Sequence, residues 1–571
     1  MYTLGINAVF HDSAACLVRD GVVVAAAEEE RFTHIKHGKR PVPFSTWELP
    51  YHSIAFCLEN EGIDLKDVDH VAYSFCPDTL SEIPTDDFIA LPTQPSAHHR
   101  EGEGSPWDPL FLAYVINAPR QLASGAPHQL KKRFLGVSNT GPWQWHFVPH
   151  HVAHSASAFY ASPFFDAAVM TLDGRGEKAS TTYGYGFGKS LKIFRAVEIP
   201  HSLGLLYERM TSHLGFLHSS DEYKVMALAS FGKPTFLSEL KQIVRIEDNG
   251  LYTIETFEIE EIFGPARERG GPYEQRHYDL AHSLQKVLEE RVVELAQWLR
   301  ERTKSESLCL AGGVALNCVM NSRLKRDSGF KNVWVQPAAG DAGTALGAAL
   351  WVDAQNRPGQ DRPYIMDHTY LGPSYTDPEI ETVLNWAKLP YKKLRDVPGE
   401  TADILAANKV VGWFQGRMEF GPRALGARSI LASPIDARMQ DKLNEIKDRE
   451  DFRPVAPVVL EEEASRWFDC DTTSPFMLFV YDVKLDKADR IPAVRHTDGT
   501  ARIQTVNRQQ NALYYDVIKA FEKKTGVPVL VNTSFNSRGE PIVCSTKDAV
   551  ECFYSTPLDA LVIGSYMLVK E

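Results

Sequence analysis

A strand, a loop and an antiparallel hairpin occur in that order twice, and few folds are open to a chain that does this. The first copy reads TLGINAVF, SAACLVR, the turn Asp20-Gly21 and VVVAAAE. The second reads AAVMTLDGRGE, STTYGYG, the turn Gly188-Lys189 and LKIFRAVEI. Asp-Gly between β-rich runs is a strong hairpin signal, because the tight turns that suit a twisted sheet need positive φ. Each copy runs on into helical sequence, so the pattern predicts a duplicated α/β unit with a cleft between its halves.

Beyond the second copy, residues 279–304 place Leu280, Leu284, Val287, Leu288, Val292 and Leu295 on one face of a long helix. Two glycine turns follow: AGGVALN, with Gly312, Gly313 and Asn317, and AAGDAGT, with Gly340 and Gly343. Turns of this kind between strand and helix offer backbone N–H groups to phosphates and adenosine. The texture changes after QNRPGQDRPYI, which predicts an N-terminal domain of residues 1–360 and a second domain of 370–571. Within the first, 77–145 reads as an irregular insertion. Its Phe88, Trp107, Phe111, Leu112, Tyr114, Trp143 and Trp145 suit either an apolar acceptor site or a satellite core.

The chain has 61 Lys and Arg against 74 Asp and Glu, a net charge of −13. That is the wrong sign for binding along a phosphate backbone, so no nucleic-acid partner is expected. No apolar run approaches the roughly 18 residues that span a bilayer and no basic leader opens the sequence, so no membrane is expected and the location reads as cytoplasmic. The eight cysteines include no C-x-x-C pair and mostly sit in apolar runs, as buried free thiols do.

The sharpest chemical signal is VPHHVAHSASAFY. His150 and His154 stand four apart, which on a helix puts both imidazoles on one face. Asp173 (TLDGRGE) and Asp341 (AAGDAGT) each end an apolar strand, and two histidines with two carboxylates suit Fe(II), Mn(II) or Zn(II). His11 and Asp12 follow the first strand, where side chains face the cleft, and Asp221, Glu222 and Lys224 stand at a helix start or cleft edge. In the second domain Arg423, Arg428, Lys447, Arg453 and Arg502 lie between Gly, Pro and buried strands. Single arginines in such places meet anions, and with Asn532 and Ser534 they predict a phosphate or acyl-phosphate pocket.

In order along the chain, LGINAVFHDSAACLV, EEERFTHIKHG, HHVAHSASAFY, LDGRGE, AGGVALN, GPRALGARS, FRPVAP and NTSFNSRGEP resemble the O-carbamoyltransferases of the nodulation protein U and cephalosporin carbamoyltransferase family. The resemblance covers almost everything except 77–145. It implies an actin-like ATPase-superfamily (ASKHA) domain followed by a YrdC-like α/β domain. The second would form carbamoyl adenylate from carbamoyl phosphate and ATP with Mg(II), and the first would pass the carbamoyl group to a hydroxyl of a sugar or polyketide in antibiotic biosynthesis. It further implies iron as the metal on His150, His154 and Asp173, with Asp341 facing the same site. Lys36 is implied to contact the adenylate, the arginine group with Asn532 and Ser534 to bind carbamoyl phosphate and ATP, and His11 to lie near the acceptor, with His11 or Asp12 as base. A homodimer is a further expectation. A sugar or acetate kinase would share the duplication but needs neither the histidine pair nor the arginine-rich half.

Overall fold

The computed structural model describes residues 1–38, 49–79, 115–116, 118–124, 141–359 and 361–570. Phe88, Trp107, Phe111, Leu112 and Tyr114 lie outside them. The chain divides into two compact units. One comprises Met1–Gly204, Thr303–Ala315 and Phe330–Ile365; the other comprises Leu205–Arg302, Leu316–Gly329 and Met366–Glu571. The step from 365 to 366 falls where the sequence changes texture, but residues 205–302 and 316–329 group with the C-terminal part, which no local signal foretells.

The first unit holds two five-stranded sheets of one topology. In the first sheet, β1 (Tyr2–Asn7), β2 (Ala14–Arg19), β3 (Val22–Glu28), β4 (His70–Tyr73) and β5 (Gln144–Phe147) lie in the order 3-2-1-4-5. The second contains β6 (Asp166–Leu172), β7 (Ala179–Phe187) and β8 (Ser190–Glu198). After a small hairpin of β9 (Val244–Ile246) and β10 (Tyr252–Ile254) in the other unit, it is completed by β11 (Ser307–Ala311) and β12 (Asn332–Val335), in the order 12-11-6-7-8. In both sheets the opening strand pairs antiparallel with its hairpin and parallel with the later strands. The duplication read from the sequence is therefore present strand for strand. Its first hairpin turns at Asp20 and Gly21, with φ of 51° and 84°, and the second at Gly188, with φ of 56°.

Each sheet's last strand leads into a helix that packs on the other sheet. Helix His150–Ala161, after β5, lies on β6, β7 and β11, while helix Ala342–Asn356, after β12, lies on β1, β2 and β4, and the two helices pack together. Small residues make this possible. A Cβ on Gly347 would fall 1.8 Å from the Ala153 carbonyl oxygen, and one on Gly5 would fall 1.9 Å from that of Ala345. Trp143 is buried in the core of the first sheet with Trp145 packed against it, so these two aromatics are core.

The second unit is built on a mixed eight-stranded sheet. Its strands are β13 (Lys392–Lys393), β14 (Val411–Phe414), β15 (Arg428–Ala432), β16 (Ala456–Leu460), β19 (Gln504–Val506), β20 (Val529–Ser534), β21 (Ala560–Ile563) and β22 (Tyr566–Val569), in the order 13-22-21-14-15-20-16-19. A separate pair is formed by β17 (Tyr481–Asp482) and β18 (Thr500–Ala501). The long helix expected at 279–304 runs Gln275–Thr303, with all six named apolar residues buried. Among the described residues no helix is long and apolar enough to cross a membrane. All eight cysteines are free.

Candidate functional site

Four side chains converge at the carboxyl ends of the parallel strands of the first unit. His150 and His154 come from the first turns of the helix after β5, Asp173 directly follows β6, and Asp341 precedes the helix after β12. The two Nε2 atoms are 3.1 Å apart. Each lies 3.5 or 3.6 Å from Asp173 Oδ2 and from Asp341 Oδ1, and all four residues are buried. An ion with ligands at about 2.1 Å in a tetrahedron has ligand–ligand edges of about 3.4 Å. The donors already stand at that spacing. Burial disfavours charge on every one of them, yet Asp341 and Asp173 overcome it and hold both imidazoles above their usual pKa, while the carboxyls are held below theirs. Such a cluster could hold a divalent cation, whose binding would displace the imidazole protons and neutralise the same two carboxylates.

The glycine turns brace this cage. Gly313 N–H donates to Asp173 Oδ1 at 2.8 Å and Gly312 N–H to the Ala339 carbonyl at 2.8 Å, so both donors are taken within the fold. Gly312 has φ +93°, and a Cβ there would fall 2.2 Å from the Leu172 carbonyl oxygen. The Gly340 carbonyl accepts from Gly343 N–H, bracing the turn that presents Asp341. His151 faces away from the cage. Its Nδ1 meets Thr171 Oγ1 at 2.7 Å, and burial pushes its pKa down to about 3, so it stands neutral.

His11 and Asp12 lie beside this centre, with the Phe10 ring edge-on to His150. Asp12 takes His11 Nδ1 at 2.8 Å on one oxygen and His37 Nδ1 at 2.9 Å on the other. Burial raises the Asp12 carboxyl, but the two imidazoles outweigh it and hold it well below the carboxylate range. Asp12, expected as a candidate base, thus stands as an ionised carboxylate that holds two imidazoles. Lys36 is half-buried on the single turn Lys36–Gly38 and makes no ion pair among the described residues.

The remaining candidates lie in the second unit, where the structure separates braces from free donors. Asn317 caps helix Cys318–Asp327 through Met320 N–H and exchanges two amide hydrogen bonds with Gln285, so its side chain has a bracing role within the fold. Arg428 is fully buried, stacked on Phe414 at 3.7 Å, and donates to the carbonyls of Pro373, Gln415, Gly416 and Ala427. It braces the GPRALGARS loop, while its Nε is buried with no partner among the described residues. Lys447 Nζ donates to the Ser534 carbonyl and Asn536 Oδ1, both at 2.6 Å, and Ser534 Oγ donates to the same Asn536 oxygen, so this pair fixes the end of β20. Asn532 Nδ2 donates to the Ala424 carbonyl and Gln504 Oε1.

Arg423, Arg453 and Arg502 do converge, and Arg449 joins them. The Nε atoms of Arg423 and Arg502 and Nη2 of Arg449 are buried with no hydrogen-bond partner among the described residues. Arg453 lies over the Tyr223 ring at 4.7 Å, and its contact to Glu450 is 3.5 Å long. Burial, and then the neighbouring guanidinium groups, push Arg423 and Arg449 down to about 9. Glu450 is the nearby carboxylate, and Lys224 already holds it at 2.8 Å. Recessed like charges that repel one another this way suit an anion.

Residues 2–350 match the family described as Carbamoyltransferase N-terminus and residues 402–570 the one described as Carbamoyltransferase C-terminus. The chain belongs to the carbamoyltransferase family. Nodulation protein NolNO of Sinorhizobium fredii is 41% identical to it over 99% of this chain and 80% of its own length. Nodulation protein NolO of Bradyrhizobium diazoefficiens is 42% identical over 74% of this chain and 78% of its own length. Among solved structures, full-length HypF in its phosphate- and nucleotide-bound form aligns with a TM-score of 0.32 and 14% identity over 63% of this chain and 56% of that one.

Three residues of this carbamoyltransferase escape sequence reasoning. Arg449 sits in KDREDFRP like any surface arginine. Glu177, at the end of LDGRGE, accepts the backbone N–H groups of Cys76 and His150 and so pins the helix that carries both histidine ligands. Glu419 Oε1 accepts the N–H groups of Leu425, Ala427 and Arg428, folding the loop that presents Arg423. A carboxylate just before a glycine-arginine loop is the one signal the last of these leaves in the sequence.

Proposed function

We propose that the protein is an ATP-dependent O-carbamoyltransferase with two half-reactions, its first unit acting as an actin-like domain and its second as a YrdC-like one. The observation that carries this reading is the group of unbalanced guanidiniums, Arg423, Arg449, Arg453 and Arg502. Carbamoyl phosphate and MgATP supply the anions. Water splits carbamoyl phosphate to carbamate and phosphate, a carbamate oxygen attacks the α-phosphorus of ATP, and the bond to the β-phosphate oxygen breaks to release pyrophosphate. The arginines hold this charge without titrating and keep the unstable carbamate beside ATP.

In the second half-reaction a hydroxyl of a sugar or polyketide, as in antibiotic tailoring, takes the carbamoyl group. His150, His154, Asp173 and Asp341 would hold a divalent ion, read here as Fe(II), whose chemistry is to polarise a carbonyl. Glu177 and Gly313 fix those ligands, and His11 accepts the hydroxyl proton.

The test separates the halves. His150→Ala should lose bound metal and transfer to acceptor while pyrophosphate release persists, because the arginines belong to the other unit. Equal loss of both half-reactions would sink the two-site reading.

A further inference from the structure

We infer that His37 is a positioning residue for the base His11, acting through the second oxygen of Asp12. This rests on the transfer step proposed above. In that step the acceptor oxygen bonds to the carbamoyl carbon, its proton passes to His11 Nε2, and the bond from that carbon to the adenylate oxygen breaks, the electron pair leaving with AMP.

The geometry fixes which nitrogen is basic. An ionised carboxylate only accepts hydrogen bonds, and Asp12 contacts Nδ1 of both rings, so both Nδ1 atoms carry hydrogen. Neutral His11 then has its lone pair on Nε2. A carboxylate bonded on one oxygen swings about its side-chain axis; bonded on both, it is locked. His37 supplies the second bond, and its own ring is held over that of His11 with centroids 4.5 Å apart. The three side chains keep 21 to 27% of their surface, so an acceptor can reach them.

The backbone supports this arrangement at an unusual density of strained residues. Phe10 and Asp12 on one segment, and His34 and His37 on the other, all have φ between 46° and 61°. Non-glycine residues persist in this region where surrounding structure holds them. Here Asn7, at the end of β1, donates from Nδ2 to the carbonyls of His11 and Asp12, and Glu30 Oε2 accepts the His37 backbone N–H. Two loops are thus bent so that one carboxylate meets two imidazoles.

Three variants and one spectrum test it. His37→Leu, which fills the same space without a donor, should slow transfer on the order of 10- to 100-fold, part of the roughly 10²–10⁴ that general-base catalysis provides. Pyrophosphate release should be unchanged. His37→Asn, whose Nδ2–H can replace the lost donor, should recover most of the rate, and His37→Ala should behave as Leu does. ¹⁵N spectra of histidine-labelled protein should show His11 as the Nδ1–H tautomer in the wild type and in His37→Asn, and as a mixture in His37→Leu. Full transfer by His37→Leu, or an Nε2–H tautomer of His11 in the wild type, would overturn the inference. A wild type that releases pyrophosphate but carbamoylates no hydroxyl would instead count against the transfer reading, and the tautomer spectrum still decides the role of His37.

Discussion

Sequence shows which residue types lie near glycine and buried strands, but not which of their hydrogen-bond groups are already taken. Arg423 and Arg428 share one motif and each buries an Nε with no partner among the described residues, yet the second also braces four backbone carbonyls. Their fates therefore differ. Arg449→Ala should lower pyrophosphate release by about 10²–10³, the effect of losing one preorganised donor, and Lys should rescue poorly because it lacks the planar fork. Arg428→Ala should instead lower the unfolding midpoint in urea, since it orphans buried carbonyls. His496 gives a pH signature. Burial first, with Arg502 adding, depresses it from 6.5 to about 4. As pH falls through that window the unfolded chain binds the proton before the native one does, so stability drops, by roughly 3 kcal/mol at about 1.4 kcal/mol per unit. Urea midpoints at pH 7 and 4.5 should differ less in His496→Gln than in the wild type.

Secondary structure was most legible where it was local. The turns at Asp20-Gly21 and Gly188-Lys189 declare their own φ, and the long helix declares its face by spacing. The histidine pair was legible for the same reason, since four residues along a helix is a local distance. The bracing role of the glycine turns is not legible because their partners lie far away in sequence: Gly313 meets Asp173 across 140 residues. At helix scale the decisive glycine is Gly347, where a methyl would strike the Ala153 carbonyl. That contact joins the helix bearing His150 and His154 to the one that begins at Asp341. Gly347→Ala should therefore cost about 1–3 kcal/mol by overpacking. Metal affinity, read by titration, should also weaken although no ligand is altered; unchanged affinity would show that the crossing does not set the cage.

The proposed metal and anion sites belong to different compact units, so each ligand should protect its own unit. A divalent ion at 100 times its dissociation constant adds about 2.7 kcal/mol to the state that binds it. Amide exchange around β6 and helix His150–Ala161 should slow with metal in the wild type and not in His154→Ala. The chain passes between the units five times, at 204, 302, 315, 329 and 365. Recombination that exchanged one half of this gene for a relative's at the obvious seam near 365 would bring the arginines without Tyr223, on which Arg453 rests, and without Lys224, which holds Glu450. If the two proposed half-reactions hold, their inheritance is tied together, because a single crossover at that seam would part the arginines from their own Tyr223 and Lys224.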